Sequence, residues 1–535
     1  MNSLKNTVLL ILIFIFSAAY LFVSLKIPVD GDGALHAGTI EVIKEKGRLI
    51  SFHPLTLTEG SSKLPIFYPK LFYTTMTAIS LLIGTTTYNA VVPIFGVLIG
   101  LFVFLIARFL FKNFYSSILS SLIAFSSYGL ITNSVDMFRM ETMVILLVLA
   151  SIYCLLRYTE TKSKIWFSLS IIFFAACLGT KQQAYIYAPI FPLLIFNRLE
   201  SSFIKKLIMT VLFFLFCFIL VAPIVLEEFL STGTFFYPGV PLIGRIEKII
   251  ADLFNVNLYS VGAGWVKYGV GSERIANLKE QFSQPYNHLL FLNPFYTETK
   301  DSLLASSFYI PLFLFGCLLL LKKYYSLVIF IIFQQVLLFI QPLERYFLLN
   351  QIFAALIIGG CLVFFEKKTH RNYLIKILFI MVIVVFSVIS SVSVLSESLK
   401  IPDYSQDKYV PGRIKAEEDA GQWLANNTEL DSVIVTPRTH VFSYYSRRQA
   451  LWINQLGGEE IYEAFLDNDV DSIHKISRQY SHSYLVIPQY WIIDGQAEGK
   501  WISYLEKQTV SSIGERKEYF QKVYSNKLVD VYKTL

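Results

Sequence analysis

KIPVDGDGALHAGTIEVIKEKG, residues 26–47, decides how the chain is read. It follows directly on an apolar run from Thr7 to Leu25. Asp30, Asp32 and His36 come at once, then Glu41 and Lys44, on what reads as a helix. One Asp ahead of an apolar-periodic helix caps free backbone amides. Two acids with a glycine between them exceed what a cap needs. His36 lies four residues after Asp32, so the two share a helix face. The pattern reads as a site held at a bilayer surface, provided the segment emerges there.

The 535 residues are 54% hydrophobic and only 16% charged, with a mean hydropathy of +0.54. A soluble domain needs more polar surface, so the composition points to a polytopic membrane protein. The formal charge of +7 decides little; the positions of Lys and Arg decide more. The cysteines, Cys154, Cys177, Cys217, Cys317 and Cys361, all lie in or beside apolar runs without metal-ligand spacing. That excludes a disulfide framework and a cysteine-type zinc site. The N-terminal run has signal-peptide features but is long for one, and reads as an uncleaved signal anchor.

A spanning helix takes about 20 apolar residues. Candidates are 7–25, 88–107, 114–132, 141–156, 165–179, 184–197, 206–225, 303–321, 326–341, 347–365 and 374–395. Leu71–Ile83 is too short and reads as a re-entrant or interfacial helix. With that helix left out and the N-terminus cytoplasmic, the inner loops collect the basic residues. They hold Arg108 and Lys112; Arg157, Lys162 and Lys164; Arg198, Lys205 and Lys206; Lys322 and Lys323; and Lys367, Lys368, Arg371 and Lys376. Counting it as a span puts every cluster outside. The expectation is therefore about eleven spans, N-terminus in and C-terminus out, in a cell (plasma) membrane.

This topology places 26–87, 132–142, 226–301 and 341–347 outside. It divides the chain into a membrane module, 1–395, and an outer domain, 396–535. The latter reads as α/β. RIKAEEDAGQWLANN (413–427) is an amphipathic helix with Ala416, Ala420, Trp423 and Leu424 on one side. DSVIVTP and SYLVIPQ are short buried strands, and KVYSNKLVDVYKT is a hairpin around Ser525 and Asn526. It contains no nucleotide-binding glycine motif.

The second outer turn, TNSVDMFRMET, carries Asp136, Arg139 and Glu141 at a membrane boundary. Charges there are costly unless paired or facing a wet cavity. One reading pairs Arg139 with an acid to settle the helix end. The other sets Asp136 and Glu141 facing Asp32, a carboxylate site able to deprotonate a hydroxyl or to hold a divalent cation through oxygen ligands. Lys181, in LGTKQQ, and Arg345, in LERYF, suit a phosphate at the surface, or serve as snorkelling anchors. His288 in the third outer loop is a weaker candidate.

The order and placing of these motifs resembles the GT-C superfamily of integral-membrane glycosyltransferases. Members include protein O-mannosyltransferases, lipid A aminoarabinose transferases and oligosaccharyltransferase catalytic subunits. DGDGALH follows the first span; YPKLFY enters the short helix; DMFRMET, GTK and an RY pair (Arg345, Tyr346) come later, before an outer domain ending in VYSNKLVDVYKT. The resemblance covers essentially the whole chain. The WWDYG signature of oligosaccharyltransferases and the DE dipeptide of O-mannosyltransferases are absent, which leaves the subfamily open.

The resemblance implies a polyprenyl-phosphate-linked sugar donor and inverting transfer to a lipid, glycan or protein acceptor. It assigns Asp32 as general base with Asp30 as runner-up, and Glu141 as second acid. Lys181, Arg345 and Arg139 would hold the leaving phosphate, with His36 and Tyr346 at the substrate. No nucleic-acid partner is implied. Rival readings are a lipid-linked-glycan flippase, an O-antigen ligase-like protein or a scaffold. A transporter would carry repeats and charges near the midplane; here the charges gather at the outer boundary.

Overall fold

A computed structural model describes residues 2–50, 52–58, 62–66, 70–83, 90–135, 140–232, 311–320, 325–333, 348–368, 373–400, 404–405, 408–453, 459–493 and 505–535. Among them five helices are long and apolar enough to cross a membrane: Thr7–Ser24, Val92–Phe111, Glu141–Thr161, Phe203–Glu227 and Lys376–Ser398. Their outward sides are apolar. Leu10, Phe14, Phe218 and Ile219 are exposed, as a lipid-facing surface allows, while Phe16, Tyr20 and Phe213 pack inward.

Two expected spans take a different form. The 114–132 stretch is two helices, Phe114–Phe125 and Tyr128–Val135, bent by 55°. Ser126 and Ser127 sit at the break and return their hydroxyls to the carbonyls of Leu122 and Ala124. Tyr20 donates to the carbonyl of Phe125, so the bend leaves few orphaned acceptors. The 184–197 stretch is a 3-10 turn, Gln182–Tyr187, followed by a short helix, Ile190–Arg198. Pro189 stands between them and has no N–H to continue the first piece. Leu71–Ile83 is a 13-residue helix, as its length implied. Helix Leu348–Lys368 approaches Phe114–Phe125 closely, because Gly359 lies where any Cβ would strike Ser120.

The C-terminal residues build most of a seven-stranded sheet. Its members are β1 (Phe52–Thr58), β2 (Ser62–Pro65), β5 (Val433–Thr436), β6 (Gln449–Trp452), β7 (Ser483–Pro488), β10 (Phe520–Ser525) and β11 (Val529–Thr534). Two short ladders lie apart: β3 (Tyr404–Ser405) with β4 (Lys408–Tyr409), and β8 (Ile492–Ile493) with β9 (Leu505–Glu506). The spatial order is β10-β11-β7-β5-β6-β1-β2. β5 runs parallel to both β6 and β7, and β11 returns antiparallel on β7. Val433, Val435, Leu485 and Ile487 face one core, with Ile461 and Ile473 from helices Glu459–Leu466 and Val470–Ser477. Ile434, Val486 and Val531 face the other, with Leu424 and Phe442 from helices Arg413–Asn427 and Thr439–Ser446. Burial on both faces explains why the central strands read as continuous apolar runs.

β1 and β2 come from the first loop, residues 26–87, not from the C-terminal segment. Thr56 and Leu57 pair in parallel with Ala450 and Leu451. The loop carrying the acidic turn is therefore stitched into the sheet edge.

Candidate functional site

Asp30 is the N-cap of helix Gly31–Lys46, accepting the Gly31 amide at 2.6 Å. Gly31 has φ of +49°, a left-handed conformation that glycine takes without strain. Asp32 is the next residue of the helix; its side chain lies outside the described set. His36 is buried, its Nδ1 hydrogen-bonded to the Tyr73 hydroxyl at 2.9 Å, and its ring meets Phe72 edge-on. The acidic helix is thus fixed against Leu71–Ile83. One turn on, the Thr39 hydroxyl donates to Leu35 O and meets His53 Nδ1 at 2.9 Å. With its proton committed, Thr39 accepts from His53, which defines the Nδ1–H tautomer. Burial, joined by His36 and His440, pushes the His53 imidazole well below its usual pKa.

The second acidic motif and the GTK lysine meet. Glu141 begins its helix, and Lys181 Nζ donates to Glu141 Oε1 at 2.6 Å, the side chains 7% and 5% exposed. Two observations bring this pair to the acidic helix. Met140 and Met143, flanking Glu141, share one apolar cluster with Ala37, Ile40, Phe72 and Tyr73. The Leu71 amide donates to Gly179 O, two residues before Lys181. Lys70, at the end of YPK, is ion-paired with Glu227 near the end of the long helix Phe203–Thr232. The candidates Asp136, Arg139, Arg345, Tyr346 and His288 lie outside the described residues.

The partners of Asp30 were not foreseen. Its Oδ2 accepts from Arg413 at 2.6 Å and its Oδ1 from Arg438. Both arginines also hold Glu417: Arg413 at 3.1 Å and Arg438 Nε at 2.8 Å. The Tyr490 hydroxyl closes the cluster on Glu417. Trp491 lies under the Arg438 guanidinium, 5.2 Å from ring to charge. Glu417 is 0% exposed and Arg413 2%. Two cations and two carboxylates balance, which is what makes such burial tolerable. Burial alone would push the Asp30 carboxyl up, but Arg438 and Arg413 together hold it well below the usual carboxylate range. The same contacts, against burial, raise Arg438.

Among the described residues no three His, Cys, Asp or Glu side chains gather as a metal set. Of the candidate site acids, Asp30 and Glu141 already face guanidinium and ammonium groups. They do not fit a cation site as they stand.

Residues 69–226 match the sequence model of the family described as dolichyl-phosphate-mannose-protein mannosyltransferase. No curated protein matches the chain. Its fold is similar to the archaeal oligosaccharyltransferase AglB from Archaeoglobus fulgidus, solved with an inhibitory peptide and a dolichol-phosphate. The TM-score is 0.63 at 15% identity, over 91% of this chain and 70% of AglB. The Archaeoglobus enzyme has also been solved with Zn and sulfate, at 14% identity and a TM-score of 0.63, over 98% of this chain and 73% of that one. ArnT from Cupriavidus metallidurans, solved bound to undecaprenyl phosphate, gives a TM-score of 0.55 at 12% identity, over 100% of this chain and 98% of ArnT. Identities this low speak for architecture alone: the chain shares the fold of AglB and ArnT.

Proposed function

We propose that the protein transfers a sugar from a polyprenyl-phosphate donor to an acceptor hydroxyl at the outer face of the membrane, with inversion. One observation carries this reading: within a GT-C fold, the DGDG turn, the short Leu71–Ile83 helix and the Glu141–Lys181 pair converge at one place beside the sheet. Dolichol-phosphate and undecaprenyl phosphate in the two structural neighbours support the donor class.

In the proposed reaction Asp32 takes the acceptor hydroxyl proton as that oxygen attacks the anomeric carbon. The bond from the anomeric carbon to the phosphate oxygen breaks, and the electron pair leaves with the polyprenyl phosphate. Positioned general-base catalysis contributes about 10²–10⁴-fold. In many enzymes, stabilising the charge on the leaving group accelerates the reaction more than the base does. Lys181, Arg345 and Arg139 are the cations proposed for it, and Tyr346 accompanies Arg345. Asp136 and Glu141 are the acids proposed for the acceptor side, and His36 holds the acidic helix through Tyr73.

The test is turnover by the purified chain with undecaprenyl- and dolichyl-phosphate-linked hexoses and pentoses, read as release of the lipid phosphate. Asp32→Asn should fold normally and lose kcat by about 10²-fold or more. The cap is Asp30, so full turnover by this variant would strip Asp32 of the role of base.

A further inference from the structure

We infer that Arg413 and Arg438 are positioning residues for transfer: by gripping Asp30 they fix the first turn of helix Gly31–Lys46, and with it Asp32, against the C-terminal sheet. This rests on the reading of Asp32 as the base.

The geometry divides the two acids between two tasks. Both Asp30 oxygens are committed, Oδ2 to Arg413 and Oδ1 to Arg438 and the Gly31 amide. A carboxylate so bound is a poor proton acceptor but a firm anchor. The anchor is itself rigid. Arg413 opens helix Arg413–Asn427 and Arg438 immediately precedes helix Thr439–Ser446, so neither sits on a long loop. Glu417 and Tyr490 fix both guanidiniums from behind. A second contact points the same way: the Tyr445 hydroxyl donates to Val29 O at 3.1 Å, gripping the backbone just before Asp30. Further along, Tyr444 packs on the cluster containing Ala37 and Ile40. The C-terminal layer thus holds the acidic turn by side chain, backbone and apolar contact at once.

The experiment uses the full chain in detergent and two readouts. Hydrogen exchange at residues 31–36 needs no substrate. Arg413→Gln and Arg438→Gln should each speed it by about tenfold or more, since a local opening is no longer opposed. With the polyprenyl-phosphate sugar that gives turnover, both should lower kcat by about 10–100-fold while donor KM stays within about threefold, the signature of a misplaced base. Arg438→Lys should rescue only in part, because a point charge replaces a fork. Asp30→Asn with Arg438→Gln should be within about threefold of Asp30→Asn alone, as expected of one shared path. Unchanged exchange in both arginine variants, with the chain still folded by thermal unfolding, overturns the clamp alone. Loss of all turnover in Asp30→Asn with full turnover in Asp32→Asn overturns the division of labour and makes Asp30 the base. Full turnover by both aspartate variants overturns the base assignment and the positioning role with it.

Discussion

Replacing Lys181 by Met leaves the buried Glu141 carboxylate without the ammonium that now sits 2.6 Å away. At an effective dielectric near 20 the attraction at that distance is about 6 kcal/mol, offset by several kcal/mol of desolvation for each ion. The pair itself therefore adds little net stability. Removing one partner is different: it takes the facing charge from a buried ion and costs about 3–5 kcal/mol. Lys181→Met and Glu141→Gln should each lower the thermal midpoint of the detergent-solubilised protein by several degrees. The double variant should lose less than the sum of the singles, with a coupling of about 2 kcal/mol or more. The double variant then isolates chemistry from stability. If Lys181 also meets the donor phosphate, the double variant folds yet shows a raised donor KM. Single variants that melt like wild type, with additive effects in the double, would refute the buried pair. A double variant with unchanged donor KM would leave Lys181 as a partner of Glu141 only.

Topology is checked by thiol labelling: a cysteine at Ser472 should react with an impermeant reagent in intact cells, and one at Ser163 only after permeabilisation. The reverse pattern would put the acidic turn on the inner side. The Asp30 cluster predicts acid sensitivity of a definite sign. A carboxyl held below its unfolded pKa of about 3.9 contributes stability that is fully present above that value and is lost as pH falls toward the folded one. Wild type should thus lose thermal stability more steeply than Asp30→Asn as pH drops below about 4; parallel curves would refute it.

The start of the acidic helix was legible because Asp before an apolar-periodic helix is a capping pattern, and Asp30 caps it. The central strands were legible from their apolar runs, and so was the terminal hairpin, although Ser525 ends its first strand and the turn lies at 526–528. The arginine cluster was not, although a trace of it lay in plain view. Arg413 and Glu417 stand on the same stripe as Ala420 and Leu424, and all four are buried. Reading the helix by hydropathy treats charged positions as its solvent side; reading it by face would have placed an ion pair on the inner stripe. Nothing local names their partner, since Asp30 lies at the other end of the chain. β1 was missed for a related reason. HPLTLT is short and holds a proline, and its parallel neighbour β6 comes only after the membrane helices. The bend at Ser126 and Ser127 was hidden because serine hydroxyls that serve carbonyls at a break are indistinguishable, in sequence, from serines inside an intact span.

The pairing of β1 with β6 has a consequence for how the protein is made. The first loop leaves the ribosome early, and β1 and β2 alone form only a hairpin, marginal without a neighbour. The strand that covers the β1 edge is synthesised after every described helix long and apolar enough to cross a membrane. So are Arg413 and Arg438. Until then the hairpin carries an open edge, which invites mispairing, and the acidic turn has no anchor. Sheet closure is a contact between distant parts of the chain, and such contacts form late. Synthesis of Arg413, Arg438 and β6 thereby becomes the event that assembles the acidic turn, and a nascent chain that has not reached them holds its acids without their frame.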